Sequence, residues 1–148
     1  IHACCMATDA NPVSVTAKEL PKTQPDFFKE VEQAMEFRLE FANGAVADVW
    51  TGYDANRAEF RAEAAKGWFE GSKPVFSYRN LNISTSAKGK LDFGVFRQQQ
   101  RHMDGVAEAF RNGTEVTCTG EVGRRDMVIV EGIYESIRTG KKVQLKYS

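Results

Sequence analysis

Histidine and cysteine are scarce in this 148-residue chain: there are two histidines, His2 and His102, and three cysteines, Cys4, Cys5 and Cys118. Two widely separated imidazoles, with thiols in no C-x-x-C spacing, do not make a zinc site, and an odd number of cysteines does not make a disulfide framework. Such a set suits a reducing cytoplasm, and all three thiols are expected to pack as small buried hydrophobes. Charge of one sign is lacking too. The 20 Lys and Arg balance the 20 Asp and Glu, so no overall field favours nucleic acid or an anionic membrane. No apolar run approaches the roughly 18 residues of a membrane span. G-x-G-x-x-G, G-x-x-x-x-G-K-[ST] and G-x-S-x-G are all missing, which leaves the chain no recognisable means of holding a dinucleotide or triphosphate. Internal repeats and low-complexity segments are missing as well. The chain starts Ile1-His2-Ala3-Cys4-Cys5-Met6, with neither an initiator Met nor the basic region of a signal peptide. We expect it to be a piece cut within an element of a longer protein.

What is present suits one ordinary domain, residues 1–148, with enough apolar residues for a core. Residues 1–9 read as the tail of a helix ended by Asn11-Pro12. Residues 13–20 alternate and are rich in β-branched side chains, a strand signal, and 21–26 form a loop. Met35, Phe37, Leu39 and Phe41 alternate with Glu36, Arg38 and Glu40, the period of a half-buried strand. Asn43-Gly44 follows, a type I′ hairpin signal that requires positive φ at both central residues. Folding about that turn pairs Phe41 with Val46, Leu39 with Asp48 and Phe37 with Trp50. Glu36, Arg38 and Glu40 then share the opposite face with Ala47, Val49 and Thr51, a mixed surface that suggests a cover other than water.

Further strands are expected at 59–64, 68–73 and 75–85, with a loop over 86–94. The period then becomes helical. Met103, Val106, Ala107 and Phe110 form one stripe, stopped by Asn112-Gly113. A last helix over about 121–138 carries Val122, Ile129, Val130, Ile133 and Ile137. Glu121 and Arg138 complement its dipole, Gly140 is its expected stop, and 142–146 close the chain as a strand. Strands followed by helices predict an α+β fold: two layers, an open and mostly antiparallel sheet, and helices packed on one face.

Chemistry is thinly marked. His102 and Asp104 read as ordinary helix residues. Gln98-Gln99-Gln100 could meet a hydroxylated ligand or form a solvated first turn. Tyr53-Asp54 and Trp68-Phe69 offer sugar-facing groups or core aromatics.

Three segments carry a resemblance: V-E-Q-A-M-E-F-R-L-E-F-A-N-G-A-V-A from Val31, M-D-G-V-A-E-A-F-R-N-G from Met103, and G-E-V-G-R-R-D-M-V-I-V-E-G-I-Y-E-S-I-R-T-G-K-K-V from Gly120. In order, they resemble the C-terminal domain of the glucose–fructose oxidoreductase / inositol dehydrogenase (Gfo/Idh/MocA) family. The resemblance covers nearly the whole chain. It implies a full-length NAD(P)-dependent oxidoreductase that acts by hydride transfer on a sugar, polyol or related hydroxylated substrate. NAD or NADP would be bound by a Rossmann domain absent from this chain, so the fragment alone is expected to be inactive. Ile1-His2 resembles the end of the family's D-x-G-I-H segment, which makes His2 the catalytic position. Tyr53 and Gln98 are the expected substrate contacts. Gln99 departs from the aromatic frequent in relatives, and Cys4-Cys5 from larger apolar residues.

The resemblance also implies a homodimer or higher homo-oligomer through the open sheet face, taken as Glu36, Arg38, Glu40, Ala47, Val49 and Thr51. No nucleic acid and no membrane are expected as partners, and the location expected is cytoplasmic. The other reading is a non-enzymatic α+β module whose open sheet binds a ligand or a second copy. That reading accounts for the mixed face but not for the matching order of strands and helices.

Overall fold

The structure is a computed structural model, and it describes residues 1–53, 57–72, 82–94 and 97–147. The elements run α1 (His2–Thr8), β1 (Pro12–Glu19), β2 (Ala34–Phe41), β3 (Val46–Gly52), β4 (Phe60–Ala64), β5 (Gly67–Ser72), β6 (Asn82–Thr85), β7 (Gly89–Leu91), α2 (Gln98–Asn112), α3 (Gly120–Thr139) and β8 (Val143–Gln144). The α+β class expected from the sequence holds. The strands form two four-stranded antiparallel sheets, β3-β2-β1-β8 and β4-β5-β6-β7. The chain divides into two compact units, one of residues 1–55 and 118–148 and the other of 56–117.

The first unit holds the core. Val15, Leu39 and Ile129 are fully buried, with Ala17, Met35, Phe37 and Ile133 nearly so. β1 pairs with β2 so that Val15 faces Leu39 and Ala17 faces Phe37, which brings the apolar alternation of both strands to one side. α3 covers that side. The buried Ser136 joins the layers, accepting a hydrogen bond from the Ala17 amide at 2.8 Å and donating to the Lys141 carbonyl at 2.7 Å. Each fully buried aliphatic side chain contributes roughly 1.5–3 kcal/mol. Val122, Val130 and Ile137 complete the α3 stripe at half-buried positions. The Thr119 hydroxyl accepts from the Val122 amide at 3.4 Å at the start of the helix, and Gly140, left-handed, ends it.

The hairpin corrects the expected register by one residue. Gly44 alone has positive φ, +85°, and Asn43 does not. The Gly44 amide donates to the Phe41 carbonyl and the Phe41 amide to the Ala45 carbonyl, each at 3.0 Å. The loop is therefore three residues long, a type I turn closed by a left-handed glycine, not a two-residue type I′ turn. Phe37 consequently faces Val49, Leu39 faces Ala47 and Arg38 faces Asp48. Ala47, Val49 and Thr51 lie on the core side, and the open face of β2 and β3 carries Glu36, Arg38 and Glu40 with Val46, Asp48 and Trp50. A one-residue slip exchanges the two faces of a strand.

In the second unit β4 to β7 form a meander. β7 occupies part of the segment expected to be a loop, because Lys88 turns back through its amide bond to Thr85 Oγ1 at 3.1 Å and lets 89–91 pair with 83–85. Residues 75–81 of the expected strand lie outside the described residues. α2 forms where its period placed it and stops at the left-handed Gly113. Its stripe is not buried, however: Met103 and Phe110 are exposed. Among the described residues no helix is long and apolar enough to cross a membrane.

Candidate functional site

His2 opens α1, whose inner side is anchored by the buried Cys4 and Cys5. Burial pushes both thiols above their ordinary range, so they pack as neutral hydrophobes, as expected. Cys118 is exposed and departs from that expectation. The helix is stopped by Asp9 in the left-handed conformation, and Asn43 Nδ2 donates to the Thr8 carbonyl at 3.2 Å. This ties the end of α1 to the β2–β3 turn.

The His2 imidazole meets α3. Arg125 Nη2 lies 3.0 Å from His2 Nδ1, and Asp126 Oδ2 lies 3.7 Å from the same atom. Arg125 also donates to Asp126 Oδ1, through Nε at 2.9 Å and Nη2 at 2.6 Å. The Arg125 side chain is 16% exposed, Asp126 26% and His2 38%. The cation is thus shielded while the imidazole remains partly open. Nearby, Tyr147 donates to the Pro12 carbonyl at 2.7 Å. Its hydroxyl is pushed up to about 12, chiefly by burial, with the Asp126 carboxylate adding to the rise and Arg125 opposing it. Tyr147 therefore stays neutral at any physiological pH. Arg125 and Asp126 carried no sequence signal of a site, since they sit 123 and 124 positions from His2 in a helix whose residues all read as packing or solvated charge.

Tyr53, just past β3, is three-quarters exposed. It stacks at 5.5 Å on Phe28, which meets Phe27 edge-on at 4.9 Å. With Glu32, Gln33, Thr51 and Gly52, Tyr53 lines a recess of about 190 Å³. Buried Gln33 shapes this corner by accepting from the Thr23 and Gln24 amides at 2.8 and 3.0 Å and donating to Thr23 Oγ1 at 2.6 Å. The Tyr134 hydroxyl donates to the Glu32 carboxylate at 3.0 Å. Among the described residues no hydrogen bond or ion pair joins Tyr53 to His2. Gln98 is the first residue of α2 in the second unit, and Asp54 lies outside the described residues. Among the described residues no three His, Cys, Asp or Glu converge as a metal site.

The open face of the first sheet is charged and internally paired. Lys18 meets Glu36 at 3.0 Å, Arg38 grips Asp48 through Nε and Nη2 at 2.7 and 2.8 Å, and Glu40 accepts from Lys142 at 2.7 Å and Ser14 at 2.8 Å. A shallow recess of about 670 Å³ lies over it, lined in part by Thr16, Lys18, Glu36, Arg38, Asp48 and Trp50.

The sequence matches no protein-family model. The fold does match solved structures. With 29% sequence identity and a TM-score of 0.88, 97% of the chain overlays 44% of an aldose-aldose oxidoreductase from Caulobacter crescentus, solved with glycerol. The myo-inositol 2-dehydrogenase of Lactobacillus plantarum matches at 14% identity and a TM-score of 0.71, over 99% of this chain and 46% of that one. The scyllo-inositol dehydrogenase of Lactobacillus casei, solved with NAD(H) and scyllo-inositol, matches at 15% identity and a TM-score of 0.69, over 97% of this chain and 45% of that one. The two dehydrogenases share the fold; the oxidoreductase shares fold and a larger part of the sequence. The chain spans less than half the length of each relative. The resemblance to the Gfo/Idh/MocA oxidoreductases drawn from the sequence is thus met in three dimensions.

Proposed function

We propose that this chain is the C-terminal, substrate-binding part of an NAD(P)-dependent oxidoreductase acting on a sugar, polyol or related hydroxylated compound. The observation that carries the proposal is the likeness to the Caulobacter crescentus aldose-aldose oxidoreductase over 97% of the chain. His2 agrees with it: a partly open imidazole held against α3 is suited to meet a substrate oxygen. Tyr53, exposed beside the small recess of Glu32 and Gln33, supplies an aromatic surface of the kind that sugars stack on. Gln98 stands as a further substrate contact.

The nicotinamide would supply the hydride exchange when bound. No described part of this chain fits it, since both sheets are antiparallel and a dinucleotide site is built on parallel βαβ units with a glycine-rich turn. The cofactor belongs to a further domain on this reading, and the chain alone is inactive. Saturable binding of NAD(H) or NADP(H) to the 148-residue chain would contradict that. The intact parent should reduce NAD or NADP when given aldoses or inositols, followed at 340 nm. Replacing His2 by Phe should lower kcat about 100-fold, the order expected when a group at the reacting oxygen is lost. Full activity in that variant, or no activity of the parent on any polyol or aldose, would overturn the proposal.

The protein on this reading assembles as a homodimer or higher homo-oligomer through the open face of the first sheet, with the register corrected to Lys18, Glu36, Arg38, Glu40, Asp48 and Trp50. Light scattering at high micromolar concentration should give at least twice the chain mass, and a monomer there counts against the assembly. The location proposed is the cytoplasm, checked by fractionating cells that express the parent.

A further inference from the structure

We propose that Arg125 is a positioning residue that fixes the tautomer of His2, so that His2 meets the substrate as a hydrogen-bond donor through Nε2 and does not carry the proton of the reaction. The inference rests on the reading of His2 as the residue at the substrate oxygen.

The argument starts from what a guanidinium can do. It has N–H donors, no lone pair, and keeps its charge at any pH of interest. Arg125 Nη2 at 3.0 Å from His2 Nδ1 therefore makes a hydrogen bond only if Nδ1 offers its lone pair. The other arrangement, Nδ1–H donating to Asp126, is not formed: Asp126 Oδ2 lies at 3.7 Å, beyond hydrogen-bond reach. Asp126 acts instead on the arginine. Its Oδ1 accepts from both Nε and Nη2 at 2.9 and 2.6 Å, which locks the guanidinium beside the imidazole. With Nδ1 occupied as an acceptor, the single ring proton of neutral His2 sits on Nε2.

The chemical consequence is specific. Such an imidazole can donate to a hydroxyl or carbonyl oxygen through Nε2–H. It cannot give that proton away without becoming an imidazolate, because Nδ1 faces a cation and has no proton to gain from it. Nor can Nε2 accept a proton from a hydroxyl while it already holds one. His2 therefore orients and polarises the oxygen, and the proton leaves or arrives through another group.

Side-chain nitrogen resonances of the 148-residue chain test this directly. The only other histidine, His102, is exposed on α2 and serves as an internal reference. At pH 8, His2 should show the Nε2–H form alone, while His102 shows a mixture. Arg125→Met should move His2 to the His102 mixture with the Ile129 and Ile133 methyl resonances unchanged. If that variant does not fold, a scalar coupling across the hydrogen bond from Arg125 Nη2 to His2 Nδ1 in the unaltered chain provides the same information. A proton on Nδ1, no such coupling, or a tautomer indifferent to Arg125 overturns the proposal.

The intact parent separates this idea from the reading beneath it. His2→Gln keeps an N–H donor near the Nε2 position, so it should retain kcat within about 10-fold, while His2→Phe loses about 100-fold or more. Equal, large losses in both would mean that His2 transfers the proton, and the inference fails while the proposed function stands. No loss in either would sink the proposed function and the inference with it.

Discussion

α2 and α3 carry apolar stripes of the same period, yet Ile129 and Ile133 of α3 are 0% and 3% exposed while Met103 and Phe110 of α2 are 69% and 79% exposed. A 3.6-residue period shows that a helix has an apolar face. It does not show that a surface covers it. For α3 the cover comes from β1, over a hundred residues earlier in the chain, and is fastened by the Ser136 bonds to Ala17 and Lys141. The composition of the stripes agrees with the outcome. That of α3 is entirely Val and Ile, and that of α2 mixes Met, Val, Ala and Phe behind a first turn of three glutamines.

The sharpest way to break the comparison is to truncate both stripes. Ile129→Ala should cost about 2–5 kcal/mol in denaturant unfolding, through lost burial and the cavity left behind. Phe110→Ala should stay within about 0.5 kcal/mol, as exposed substitutions do. Equal losses would mean that α2 is covered after all. Ser136→Ala should follow at about 1–3 kcal/mol, because the Ala17 amide is then buried without its acceptor.

Glycine sharpens the contrast by reversing its sign. An added Cβ at Gly132 in α3 would run into the Leu145 side chain and sit 3.1 Å from Val15 Cγ1. Gly132→Ala should therefore destabilise by about 1–3 kcal/mol despite the better helix propensity. At Gly105, in the middle of α2, nothing lies within 4 Å of such a Cβ. Gly105→Ala should stabilise by about 0.5–1 kcal/mol. Thermal unfolding of the two single variants checks both signs.

The same contrast marks how much was legible in the sequence. β1, β2, α2 and α3 stood out because period, β-branched residues and left-handed glycine stops are local properties of the chain. The register of β2 on β3 was not legible, because Asn43-Gly44 serves a two-residue loop and a three-residue loop alike; only the φ of Asn43 separates them. Membership in two separate sheets was equally hidden, since β1 to β3 and β4 to β7 are both runs of consecutive antiparallel strands and no local signal marks the break between them. At the site, His2 was reached through its place in a family segment, whereas Arg125 and Asp126 became visible only when α1 and α3 met. A pair more than a hundred residues from its partner leaves no spacing to read.

The smallest expected effect lies on the open face, where the first sheet is charged instead of apolar. Glu40 is held below the usual carboxylate range, first by the bond from Lys142 and then by that from Ser14. A carboxyl whose folded value is lowered adds stability above its unfolded value and loses it as pH falls through the folded one. Glu40→Gln should therefore lower the denaturation midpoint slightly at pH 7, and the gap from the unaltered chain should begin to narrow below about pH 4, where the unfolded carboxyl titrates, and close as the folded carboxyl in turn takes up its proton. Because Lys142 and Glu40 are both partly open to solvent, added salt should narrow the gap at pH 7 as well. A gap that does not narrow at all as pH falls below about 4 would show that Glu40 contributes through the shape of its contact with Ser14 and not through charge, and would set this face beside the buried one in kind.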